Sequence, residues 1–224
     1  MKYEIKGGNF PVAICQVEAN SSVRCQKGAM AWMSPNMEMQ TKGGGIGKMF
    51  GKMLSGESMF ENIYTAQGGD GMIAFSASVP GSIMPFELNG SNSIIAQKSA
   101  YLACDTDVNM EITFQKKFGA GLVGGEGFIM QRFTGNGTVL LEVDGAVIEQ
   151  ELAAGEVLIV ETGALCAMES TVTMDVVTVK GLGNMLVGGE GFFNTKLTGP
   201  GKIWLQTMPI SSLAGSIAPY IPSK

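Results

Sequence analysis

The heptapeptide LVGGEGF stands at 122–128 and again, letter for letter, at 186–192. A long internal repeat constrains a fold more than composition does, because each copy must build one structural unit and successive units must pack on one another. From the heptapeptides the match continues without a gap: GGEGFIMQRFTGNGTVLLE at 124–142 aligns with GGEGFFNTKLTGPGKIWLQ at 188–206. A weaker third copy, SGESMFENIYTAQGGDGMIAF, lies at 55–75. In each copy a glutamate (Glu57, Glu126, Glu190) precedes by seven residues a large side chain followed by threonine: Tyr64-Thr65, Phe133-Thr134 and Leu197-Thr198. Upstream, QKGAMAWM (26–33), QKSAYLAC (97–104) and ETGALCAM (161–168) bring Ala29, Ala100 and Ala164 into register. The chain therefore divides into three units, approximately 1–80, 81–147 and 148–209, followed by a C-terminal tail, 210–224.

Within the units the apolar residues alternate with polar ones, the period of a strand with one face buried. Val172, Met174 and Val176 alternate with Thr171, Thr173 and Asp175 over 171–179. Val108, Met110, Ile112 and Phe114 alternate with Asn109, Glu111 and Thr113, and Met37 and Met39 sketch a shorter element of the same kind. With 32 glycines and 8 prolines between such runs, the fold class is all-β, many short strands joined by tight turns. Each unit reads as strand, turn, alternating strand, Gly-rich connection, Gly-Glu turn, then a hairpin closed by Gly-x-Gly or its equivalent. Helical spacing is confined to 46–54, where Ile46, Met49, Phe50, Met53 and Leu54 predict about two turns of docking helix on a mobile loop. The glycines before it do not make a phosphate loop, because position 42 is lysine where glycine is required and Met49 replaces the Ser/Thr.

Histidine is absent, which removes Ser-His-Asp, Cys-His and zinc-hydrolase chemistry. Cys15, Cys25, Cys104 and Cys166 are too widely spaced for a metal knuckle and too few for a disulfide framework, so they are expected as reduced, mostly buried thiols. No cofactor, metal site or catalytic residue is expected. A net charge of −5 opposes a phosphate-neutralising surface, so no nucleic acid is expected as a partner. No apolar run approaches the roughly 20 residues of a membrane helix, and Met-Lys-Tyr-Glu-Ile resembles neither a secretory signal nor an organellar presequence, so a cytoplasmic protein is expected.

The glutamates of the repeat are the main candidates for chemistry. Gly56, Gly124, Gly125, Gly188 and Gly189 permit tight turns, and a carboxylate beside such a turn can accept backbone N–H bonds, a structural role. Three equivalent carboxylates around a pseudo-threefold axis could instead bind a ligand or a cation. Arg132 and Lys196, at equivalent repeat positions, read as a solvated strand face or, more weakly, as an anion contact. Trp204 alternates with its neighbours as a core or interface residue, and the 16 methionines read as core filler.

Three stretches carry a resemblance: GGEGF with F-T-G-x-G-x-V in the middle, GGEGF with L-T-G-P-G-x-I-W-L-Q-T near the C-terminus, and GAMAWM, GGG and GES-x-F in the first unit. Together they resemble the altered-inheritance-of-mitochondria family of conserved bacterial proteins, whose eukaryotic relatives act in mitochondrial biogenesis and inner-membrane organisation. The resemblance implies a fold similar to the Trp RNA-binding attenuation protein, with three pseudo-repeated β-sandwich modules in one chain, assembled into homo-oligomers, as trimers. Where the family often ends its last motif in Thr-Arg, this chain has Met208. The functional expectation is a non-enzymatic oligomeric scaffold or assembly protein; the alternative is a binding module for a small ligand or RNA.

Overall fold

A computed structural model describes residues 1–41, 61–116, 127–178 and 193–222. The chain opens with β1 (Lys2–Lys6) and continues through β2 (Val12–Val17), β3 (Ser22–Gln26), β4 (Met30–Met33), β5 (Met37–Thr41), β6 (Glu61–Ala66) and β7 (Gly71–Ser76). Then follow β8 (Gly81–Asn89), β9 (Ile94–Gln97), β10 (Tyr101–Asp105), β11 (Val108–Lys116) and the long β12 (Phe128–Asp144). The last set is β13 (Val147–Leu152), β14 (Val157–Glu161), β15 (Leu165–Glu169), β16 (Thr173–Thr178), β17 (Phe193–Thr198) and β18 (Gly201–Gln206), before a short helix α1 (Ile210–Ile217).

The three sets share one antiparallel pairing scheme. In the first, β7 lies between β2 and β4, while β6 lies between β3 and β5. In the third, β18 lies between β13 and β15, and β17 between β14 and β16. In the middle set β12 performs both roles: its first half pairs with β9 and β11, its second half with β8 and β10. Each set is thus two small sheets, and we call it a module.

The Gly-x-Gly segment does not close a hairpin, contrary to the expectation from sequence. The strands on either side of it belong to different sheets, so it carries the chain from one to the other. Gly135 (φ +102°) and Gly137 (φ +125°) make this crossing inside β12. A Cβ on Gly137 would stand 2.7 Å from Asp105 Cβ, so both the backbone angle and the space require glycine there.

Alternating side chains fill the space between the two sheets of a module. Ala13, Cys15, Val23, Cys25, Tyr64, Ile73 and Phe75 meet in the first core; Ile94, Phe133, Val139 and Leu141 centre the second; Leu152, Leu165, Leu197 and Ile203 centre the third. The alternation at β5 is only partly used: Met37 is buried, whereas Met39, expected on the same face, is 53% exposed on a strand whose described pairing is to β6 alone. Among the described residues no helix is long and apolar enough to cross a membrane.

Two junctions link the modules. β3 of the first pairs with β10 of the second, and β9 of the second pairs with β15 of the third. Leaving aside β1, which pairs with β2 and has no counterpart in the other modules, the second strand of one module therefore meets the third strand of the next, fusing their sheets edge to edge. The sheet β1-β2-β7-β4 ends on β4 and the sheet β14-β17-β16 ends on β14, so among the described residues these are the third and second strands of the scheme that meet no neighbouring module.

Candidate functional site

Glu57, Glu126 and Glu190, with Gly56, Gly124, Gly125, Gly188 and Gly189, lie outside the described residues, as does the helix expected at 46–54. In sequence these stretches occupy matching places, between β5 and β6, β11 and β12, and β16 and β17. Arg132 and Lys196 are both described. Arg132 lies opposite Glu111 in the ladder, its Nε 3.8 Å from Glu111 Oε1, and Lys196 lies opposite Asp175. Each basic residue thus faces an acidic one across neighbouring strands, the arrangement of a charged strand face. Trp204 is buried against Phe86, ring centres 5.8 Å apart at 84°, and its Nε1–H donates to Glu149 Oε2 at 2.9 Å.

The first junction holds a buried polar cluster that the repeat pattern does not announce. Arg24 on β3 lies 3.6 Å through Nη1 from Glu61 Oε2 on β6, and its Nη2 donates to the Val108 carbonyl. The Tyr101 hydroxyl, reaching across from β10, donates to Glu61 Oε1 at 2.9 Å and lies 3.4 Å from Cys104 Sγ. Burial pushes the Tyr101 hydroxyl well above its ordinary value. Burial also raises the Cys104 thiol, to about 11, although Arg24 draws it down. Burial opposes the charge of Arg24, but Cys104, Glu61 and Tyr101 outweigh it and the guanidinium is held protonated. Arg24 Nε and Glu61 Oε2 are buried without a hydrogen bond, so the Arg24–Glu61 contact is electrostatic, and the cluster ties two modules together.

The same positions in the second junction show what the cluster replaces. Aligned on the repeat, Arg24, Glu61, Tyr101 and Cys104 correspond to Ile95, Met130, Leu165 and Met168. Those four residues are buried together in the third core. One junction is thus sealed by a buried ion pair with a tyrosine hydroxyl bonded to it and the other by plain apolar packing. The signal available in the sequence was this departure of Arg24 and Glu61 from the apolar residues of the next copy.

A second buried carboxyl stands where the middle module meets the first. Glu142 on β12 accepts the Ser78 backbone N–H at 2.6 Å and the Ser78 hydroxyl at 3.1 Å. Burial nevertheless raises its pKa, as it does for Asp144, which accepts the Ile210 N–H at the start of α1. A carboxyl whose pKa is raised on folding binds its proton more tightly in the native state, so stability is greatest below the unfolded value and falls as pH rises through the folded one. Glu142→Gln is therefore expected to gain on the wild type as pH is raised from about 4 to about 7, starting from the ordinary carboxylate range. Urea midpoints across that range check this; a constant difference between the two proteins would exclude the assignment.

All four cysteines are free and buried. Burial pushes the thiols of Cys15, Cys25 and Cys166 up to about 12.

The surface feature that sets the three modules apart is the pair of unpaired edges. In β4, Trp32 and Met33 are 47% and 37% exposed; in β14, Val157 and Ile159 are 47% and 50% exposed. The residues equivalent to Trp32 and Met33 in the paired strands, Ala103 and Cys104 in β10 and Ala167 and Met168 in β15, are at most 4% exposed. Apolar side chains and unpaired backbone groups coincide on both free edges.

Comparison with known proteins places this architecture. The chain is 30% identical over 223 residues to an uncharacterized protein, M6_Spy0233, of Streptococcus pyogenes serotype M6, covering 96% of this chain and 88% of that one. It is also similar to the crystal structure of protein SPYM3_0169 from Streptococcus pyogenes, with a TM-score of 0.83 and 28% identity, covering 98% of this chain and 99% of the other. Residues 3–208, spanning all three modules, match the model of a single family, and the chain belongs to that family, mitochondrial biogenesis AIM24.

Proposed function

We propose that the protein is a non-enzymatic β scaffold that works as an assembly of copies of itself. The observation that carries this reading is that β4 and β14 each have one edge without a partner among the described residues, with Trp32, Met33, Val157 and Ile159 exposed along them. An uncovered apolar strand edge is a template for pairing with another chain, and association of identical subunits covers it. The buried groups support the non-enzymatic part. Thiols raised to about 11 or 12 are protonated at neutral pH and are poor nucleophiles, the Glu142 carboxylate is occupied by donors from Ser78, and Glu61 is buried beside Arg24.

A closed trimer, the state implied by the family resemblance, is one ring that such an assembly can form, and the cytoplasm is the compartment in which reduced thiols of this kind persist. Size-exclusion chromatography with light scattering at micromolar concentration tests the reading. A mass that is a multiple of 23.5 kDa is expected, and a clean monomer would overturn it.

A further inference from the structure

Both junctions within the chain use one register. Cys25 faces Ala103 at the first and Ala96 faces Ala167 at the second; Arg24 faces Cys104, and Ile95 faces Met168; Val23 faces Asp105, and Ile94 faces Glu169. Aligned on the repeat, these pairs are the same positions. Among the described residues the second strand of the third module, β14, and the third strand of the first, β4, are the two members of the scheme that pair with no neighbouring module. Applying the step once more sets Val160 opposite Trp32, Ile159 opposite Met33 and Leu158 opposite Ser34.

We propose that β14 of one copy pairs antiparallel with β4 of the next copy in this register, so that copies join head to tail and continue the module array. The proposal rests on the self-assembly reading and names the surfaces that perform it. Joining the two end sheets covers both free edges at once, as the internal junctions do. Because the two surfaces differ, the contact is heterologous, and it propagates until the array closes into a ring.

Charge at the ends of the strands fits the same pairing. At the second junction the Gln97 side chain ends its strand and donates to the Thr162 and Gly163 carbonyls of the turn leading to β15, at 3.2 and 3.4 Å, and to that of Leu165, the first residue of β15. Glu161 holds the corresponding place at the end of β14, and the turn leading to β4 carries Lys27, both exposed. A neutral contact inside the chain is thus replaced by opposite charges at the joint between copies, which favours this orientation of approach.

The test is the double variant Met33→Cys/Ile159→Cys, oxidised and run on a non-reducing gel. Directly opposed residues of an antiparallel pair lie within disulfide reach, and the native thiols are buried. A ladder of covalently joined chains is expected, with neither single variant forming more than a dimer. A disulfide closed within one chain, or no cross-link, would overturn the proposal. Ile159→Lys gives an independent reading, since the residue is exposed and the fold does not need it: assembly is expected to weaken at least about tenfold with an unchanged circular dichroism spectrum. If the wild type is an assembly but Ile159→Lys assembles equally well and the cysteines do not join, this pairing is wrong while the scaffold reading stands; a monomeric wild type overturns both.

Discussion

Arg24→Met is expected to lower the unfolding free energy by about 3–5 kcal/mol, because it leaves the Glu61 carboxylate buried without its cation. The two side chains are 11% and 4% exposed, so water cannot supply the missing charge. The Val108 carbonyl loses its guanidinium donor in the same step. The expected loss is a consequence of stranding one charge and does not measure the net worth of the pair. Replacing the whole cluster by the residues of the second junction (Arg24→Ile, Glu61→Met, Tyr101→Leu and Cys104→Met) removes every buried polar side chain together, and should recover most of what Arg24→Met loses. Urea unfolding of the single and fourfold variants makes the comparison, with the slope checked to confirm that the same surface unfolds. If the fourfold variant is the less stable of the two, apolar packing cannot substitute for the ion pair, and the correspondence of the two junctions fails.

Trp204→Ala should be nearly as damaging, at about 3–5 kcal/mol, the range for truncating a large buried aromatic. Trp204 lies on β18 of the third module, yet its ring packs in the core of the second, edge-on to Phe86 of β8. Its loss leaves a cavity at the junction and removes one donor from the exposed Glu149, which retains Lys202 at 2.7 Å. Trp204→Leu supplies the side chain found at the equivalent position of the middle module, Leu140, and should lose clearly less. For a chain of this size the alanine variant is expected to melt of the order of 10 °C lower. A change of only a degree or two would mean that the second junction does not depend on this ring.

The alternation of Val108, Met110, Ile112 and Phe114 located β11, and that of 171–179 located β16, because side-chain direction in a strand depends only on neighbouring residues. The repeat alignment likewise brought Ala29, Ala100 and Ala164 to one place, each just before the third strand of its module. Gly-x-Gly predicts a hairpin because glycine pairs signal a change of direction. They do not say whether the next strand returns to the same sheet, and here it enters the other. Arg132 and Lys196 were visible as equivalent positions, but the acidic residues facing them become visible only once β11 and β16 are laid beside their partners. Nothing local to Arg24, Glu61 or Tyr101 marks it as buried; they converge from three strands spread over 78 positions of the chain, from Arg24 to Tyr101.

By itself, then, the sequence determined the all-β class, the threefold recurrence of motifs and the exclusion of histidine-based chemistry, since all three follow from residue identity and local period. Only the tertiary structure decided that neighbouring modules join second strand to third in a constant register, and that among the described residues β4 and β14 meet no neighbouring module. Strand pairing is a contact between backbones far apart in the chain, and backbone N–H and C=O groups are the same at almost every position, so which edges meet is decided by how the packed cores place them.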